Sequence, residues 1–207
     1  MNQMFSALVE RFPVTDSFPV ESVPSELPPA LRNTFEEFGG ATLDRGFYRF
    51  HIPSSARRSD LACAQLIGGF EGQFRCFAFD WLGREIAADM RPGRPHSIII
   101  VDPGGGEYLT TPCVIEDWHD SVANLDDDPL AWTFYRDWQK SNPAFHELRF
   151  DQAIGYRVPL FLGGQDEVDN LEVTDREVYF EICTQLSQGV RDMPPGATIE
   201  SIRIQGQ

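Results

Sequence analysis

Phe5, Leu8, Val9 and Phe12 recur at helical spacing and predict a short amphipathic helix that Pro13 stops. The stretch 13–24, with its Pro, Ser and Thr residues, reads as an extended connector. Leu27, Leu31, Phe35 and Phe38 then line one helical face, and Gly39-Gly40 ends that helix. A switch to alternation follows. GFYRFHI (46–52) reads as a strand, and QFRCFAFDWL (73–82) as a central strand. In the latter, Phe74, Cys76, Ala78 and Asp80 share one side, and Arg75, Phe77, Phe79 and Trp81 the other. Apolar groups on both faces call for cover on both. Gly83 turns the chain into an antiparallel partner at 84–88. SIIIV (97–101) is a buried-strand run, DPGGG (102–106) a loop and 107–110 the returning strand. Thr111-Pro112 is expected to open a helix carrying Ile115, Trp118 and Val122.

The second half continues the mixture. Asp126-Asp127-Asp128-Pro129 forms an acidic helix start, favourable to the helix dipole, and Leu130, Phe134 and Trp138 mark a buried face that Asn142-Pro143 ends. RVPLFL (157–162) reads as a strand closed by Gly163-Gly164. Thr174 and Glu177 form a capping box for a helix carrying Val178, Ile182, Cys183 and Leu186, and 199–204 is expected to add a final strand. Antiparallel strands mixed with helices, without β-α-β alternation, predict an α+β fold: a central twisted sheet, mixed or antiparallel, flanked by helices.

Charge changes the picture of what this fold meets. The 207 residues hold 32 acidic and 17 basic side chains, a net charge of −15. Such a chain repels nucleic-acid backbones and anionic membranes and attracts a basic protein. Arg57-Arg58 and the 91–94 stretch are too sparse for a nucleic-acid patch. Cys63, Cys76, Cys113 and Cys183 form no C-x-x-C pair and sit in apolar contexts, so they read as reduced core thiols in a reducing compartment. The first twelve residues lack the pattern of a signal peptide, and the longest apolar run is too short to span a bilayer. The expected location is the cytoplasm.

Catalytic signatures are sparse. DPGGGEY and FLGGQD lack the Lys and Ser/Thr of a phosphate loop. There is no G-x-S-x-G, and His51, His96, His119 and His146 have no Ser or Cys at recognisable spacing. Glu116, Asp117, His119 and Asp120 on one predicted helix offer a conceivable carboxylate-histidine metal site, and Asp166, Glu167, Asp169 and Glu172 a loose hard-cation loop. No second His motif completes the first, and the EF-hand order is absent from the second. The reading is therefore no catalytic residue, no metal and no cofactor.

One resemblance sharpens the partner. IGYRVPLFLGGQDEVDNLEVTDREVYFEICTQL (154–186) resembles the Tdi-type C-terminal region of immunity proteins that neutralise type VI secretion Tde-type DNase toxins. FEEFGGATLDRGFYRFH (35–51), GQFRCFAFDWLGRE (72–85) and VDPGGGEYLTTP (101–112) resemble the GAD-like N-terminal region of the same proteins. The resemblance implies a SUKH-like fold and three regions: residues 1–23 as helix and connector, 24–112 as the GAD-like region, and 113–207 as the immunity region, packed as one unit. It implies a non-catalytic protein that binds a cognate toxin, a basic DNase, with no direct contact to nucleic acid or membrane. A basic cleft would be met by exposed acids, for which Asp126, Asp127, Asp128, Asp166, Glu167, Asp169 and Glu172 are candidates, with Trp132 as an aromatic anchor. The alternatives are an interaction or regulatory module without a toxin partner, and a metal-binding enzyme.

Overall fold

Seven strands pair in chain order as one antiparallel meander: β1 (Val14–Ser17), β2 (Ala41–Leu43), β3 (Tyr48–Phe50), β4 (Phe74–Asp80), β5 (Glu85–Asp89), β6 (Ser97–Asp102) and β7 (Glu107–Val114). The computed structural model describes residues 3–19, 21–69, 71–94, 96–191 and 193. The expected strand at 199–204 lies outside them.

Alternation along the central strands divides the core in two. Ile86, Ala88, Ile98 and Ile100 point into a large aromatic core, and Ala87, Ile99 and Val101 into a smaller one. The large core is covered by α1 (Gln3–Arg11), α2 (Pro29–Phe38), α4 (Ile115–Asn124) and α5 (Trp132–Ser141). The small one lies under α3 (Pro53–Ile67) and α6 (Arg176–Val190). A separate hairpin, β8 (Gln152–Tyr156) with β9 (Leu171–Asp175), is tied to the sheet where Ile154 N–H donates to Trp81 O at 2.8 Å. The α+β class and the antiparallel sheet flanked by helices are as expected. Cys63, Cys76 and Cys183 are buried free thiols, and Cys113 is half-buried.

Several local expectations are corrected. The 13–24 connector contains β1, an edge strand with all four side chains exposed, which hides its strand character from any apolar pattern. Strand β7 runs through Pro112 to Val114, and α4 begins only at Ile115. Proline is tolerated there because β7 is an edge strand and its pairing with β6 is irregular between Ser97 and Ile99. A bulge between Cys76 and Ala78 breaks the alternation of β4, so Cys76 enters the small core while Phe77 and Ala78 both enter the large one. Residues 157–162 are a bend and a 3-10 turn (Leu160–Leu162), not a strand; the strand is β8, just before them. The cap of α6 is Asp175, whose Oδ1 accepts Val178 N–H at 2.9 Å, not Thr174. Its buried stripe is Tyr179, Phe180 and Cys183, and Val178 is exposed.

The two glycine-rich stretches are structural. A Cβ on Gly104 would lie 2.6 Å from the Tyr156 ring, and Gly104 O accepts Leu160 N–H at 2.9 Å. The loop thus fastens the sheet to the hairpin. Gly163 holds φ +88°, the left-handed region that favours glycine, in the turn after 160–162. Among the described residues no helix is long and apolar enough to cross a membrane.

Candidate functional site

The most unusual chemistry is buried under α3 and α6. Glu85, on central strand β5, is 1% exposed. Its Oε2 lies 2.7 Å from His51 Nε2, its Oε1 accepts Ser59 Oγ–H at 2.9 Å, and Arg176 Nη1 forms a short ion pair with Oε1. Burial opposes the Glu85 charge. His51, Arg176 and the Ser59 hydroxyl outweigh it and hold the carboxyl below the usual carboxylate range. Burial also pushes His51 down and outweighs the pull of Glu85, so His51 is neutral and donates from Nε2. Phe79 lies beneath two cations, with the guanidinium carbons of Arg176 and Arg49 at 4.3 and 4.5 Å from its ring centroid. Burial, with Arg176 nearby, lowers the Arg49 guanidinium to about 9. It stays cationic at neutral pH.

Ser55 Oγ lies 2.9 Å from His51 Nδ1, so Ser55, His51 and Glu85 are ordered like a hydrolytic triad. The environment argues against that use. Ser55 is 1% exposed and accepts Ile52 N–H as part of the first turn of α3. No substrate carbonyl can reach its oxygen, and the three residues form a buried strut between β3, α3 and β5.

Above this network a cavity of about 570 Å³ opens between α3 and α6. Glu85, Ser59 and Arg176 line it together with Asp175, Glu177, Glu181, Arg58, Val178 and Phe180. Arg58 Nε and Glu177 Oε1 pair at 3.3 Å on the exposed rim, an interaction that solvent renders weak. From sequence, Glu177, Val178 and Arg58 figure only as a cap, a helix-face residue and a sparse basic pair, and none of the lining residues is expected to form a site. A second cavity of about 420 Å³ beside α2 and α3 holds Asp60, whose Oδ1 accepts Cys76 N–H at 2.7 Å. Burial raises Asp60 to about 6, so its protonated form is favoured in the folded state; the stabilisation is full below the unfolded value of 3.8 and is lost as pH rises through about 6.

The acids picked from sequence occupy two neighbouring places. Asp126 and Asp127 are exposed in the α4–α5 loop. Asp128 is half-buried and holds the start of α5: its Oδ1 accepts Trp132 N–H at 2.6 Å and its Oδ2 accepts Thr133 N–H at 3.0 Å. Asp128→Ala should therefore lower stability by about 1 kcal/mol in urea titration. Trp132 is half-buried, edge-on to Phe12 and Phe47 at 5.1 and 4.8 Å, and is part of the core packing. Asp166, Glu167, Asp169 and Glu172 are exposed. Asp166 accepts from the Tyr156 hydroxyl at 2.6 Å, and Glu172 pairs with Arg157 at 3.3 Å. The 3-10 turn Val168–Asn170 packs on α5, which brings this stretch beside the helix that Asp128 caps.

The two conceivable metal sets are not assembled. Glu116, Asp117 and Asp120 are exposed while His119 is buried among Phe5, Phe50 and Phe77. Among the described residues no group of three or more His, Cys, Asp or Glu side chains is placed to hold a metal ion.

Comparison with known proteins bears on the second half. Residues 127–187 match the family model "T6SS immunity protein Tdi1, C-terminal". That stretch contains α5, the β8–β9 hairpin and most of α6. The crystal structure of Atu4351 from Agrobacterium tumefaciens is similar, with a TM-score of 0.58, 13% identity, and coverage of 87% of this chain and 88% of that one. At that identity the likeness establishes a shared fold. No curated protein matches the chain.

Proposed function

We propose that this protein is a type VI secretion immunity protein that binds a cognate DNase toxin in the cytoplasm and blocks it without catalysis. The observation that carries the reading is a coincidence of family match and charge. Residues 127–187 hold 12 acidic and 5 basic side chains, so this stretch carries about half of the net charge. Eleven of those acids are exposed and Asp128 is half-buried, whereas the basic Arg176 is buried in the ion network. The exposed potential of this stretch is therefore more negative than the composition alone suggests. It is the complement of a cleft that binds phosphates. The acids proposed to meet the toxin are Asp126, Asp127, Asp166, Glu167, Asp169 and Glu172. Asp128 and Trp132 support them from α5.

Two outcomes test the reading. The reading expects a toxin gene beside this one, whose product should kill a host that lacks this protein and spare a host that expresses it. A host that dies equally in both cases removes the proposal. Association should also slow steeply with added salt, because steering of opposite charges is screened over about 8 Å at physiological ionic strength. Stopped-flow rates that do not change with salt would reduce the charge to a solubility device.

A further inference from the structure

The β8–β9 hairpin leaves one edge open. Register pairs Ile154 with Val173, and Ile154 N–H points away from β9 to Trp81 O. On the flanks, Arg157 N–H bonds Asn170 O and Arg176 N–H bonds Asp151 O. That phase makes Ile154 and Val173 a non-hydrogen-bonded pair, so the Val173 N–H and C=O lie on the outer edge of β9. Neither has a partner among the described residues. Val173 is 43% exposed, and Val178, one turn into α6, is 53% exposed. Asp175 ends the strand and also lines the 570 Å³ cavity.

The cavity has a distinct chemistry of its own. Its lining includes the exposed acids Asp175, Glu177 and Glu181, the exposed cation Arg58, and the apolar Val178, Ala62 and Ile182. This suits a long basic side chain whose stem packs on apolar atoms and whose head meets carboxylates. On its floor, Arg176 is 4% exposed and its buried Nε–H has no acceptor among the described residues. A buried donor without an acceptor is a site for an incoming oxygen. An extended peptide brings both a backbone carbonyl and a basic side chain.

We infer that the outer edge of β9 and the adjoining cavity dock an extended basic segment of the toxin, which adds as a strand beside Val173 and sends a lysine or arginine between α3 and α6. The inference rests on the immunity reading and specifies where the toxin is held. Strand addition supplies main-chain hydrogen bonds, and the cavity supplies the choice of side chain. The incoming cation takes Glu177 from Arg58, a weak surface pair that is easily exchanged.

The probe is the purified toxin encoded by the adjoining gene, mixed with the full chain. Amide hydrogen exchange should slow by about tenfold or more at Val173 and Asp175 on complex formation. The double variant Glu177→Gln/Glu181→Gln removes two exposed carboxylates without adding a cation beside Arg58 and Arg176; it should remain folded, with at most a small drop in melting temperature, and raise Kd by about 10-fold or more. If a complex forms but its protection falls on 107–114 or 126–128, with β9 unchanged and the double variant binding normally, this docking site is overturned and the immunity reading stands. If no complex forms, both fall.

Discussion

Glu85→Ala should destabilise the protein by about 3–5 kcal/mol, since removing one partner of a buried ion pair leaves the other charge uncompensated. The expectation comes from the position of Glu85 at the junction of β5, β3, α3 and α6. Its carboxylate satisfies Arg176, His51 and Ser59 together. Without it, the side-chain polar partners left to Arg176 among the described residues are Ser59 at 3.5 Å and Glu177 at 3.6 Å, and Arg49 shares the Phe79 ring with a less compensated second cation. Ser59→Ala, which removes one neutral donor to the same carboxylate, should lower stability by about 1–2 kcal/mol. Urea titration of both variants checks the order. A Glu85→Ala loss under about 1 kcal/mol would show that water or rearrangement compensates the charges, contrary to the burial described.

The second large effect concerns acid. His119 is 0% exposed, its ring centroid is 5.0 Å from that of Phe5 and 5.6 Å from that of Phe50, and neither ring nitrogen has a partner among the described residues. Burial lowers its pKa from 6.5 to about 3. The folded state therefore binds the neutral ring, while the unfolded chain takes up a proton below 6.5. This contribution is full above pH 6.5 and is lost as pH falls toward 3, at a limiting slope of about 1.4 kcal/mol per pH unit. Asp60 has the opposite sign between 3.8 and about 6 and offsets part of that slope in the wild type. His119→Phe isolates the histidine. It should leave stability at pH 7 unchanged or higher, because it removes a buried polar group without a partner, and should flatten the decline below pH 6. Equal slopes in wild type and variant would contradict a neutral buried His119.

These two residues show what a sequence conceals. α1, α2 and α4 are legible because their apolar period is clean, and Phe5, Leu31, Phe35 and Trp118 are buried as that period requires. Helix α3 is absent from the pattern because its buried face is Ser55, Ala56, Ser59, Cys63, Ala64 and Leu66, mostly small or polar. Those small groups leave room for the Glu85 network, so the feature that hides the helix is the one that builds the site. Glu85 and Arg176 are 91 residues apart, and no local spacing joins them. By contrast the exposed acids of 126–128 and 166–172 stand out as charge in the sequence. Their neighbourhood on α5 and the 168–170 turn needs the fold. Trp132 was legible as an aromatic near those acids; its edge-on packing against Phe12 and Phe47 depends on α1 reaching α5, which only tertiary contacts specify.

An acidic fold that acts by occupying a toxin should block it stoichiometrically. The decisive measurement is titration of the purified chain into a DNA-cleavage assay of the cognate toxin. Cleavage should fall in proportion to added protein and stop near equimolar ratio, with no change in the toxin's covalent structure. Cleavage that continues undiminished at a large molar excess would contradict it.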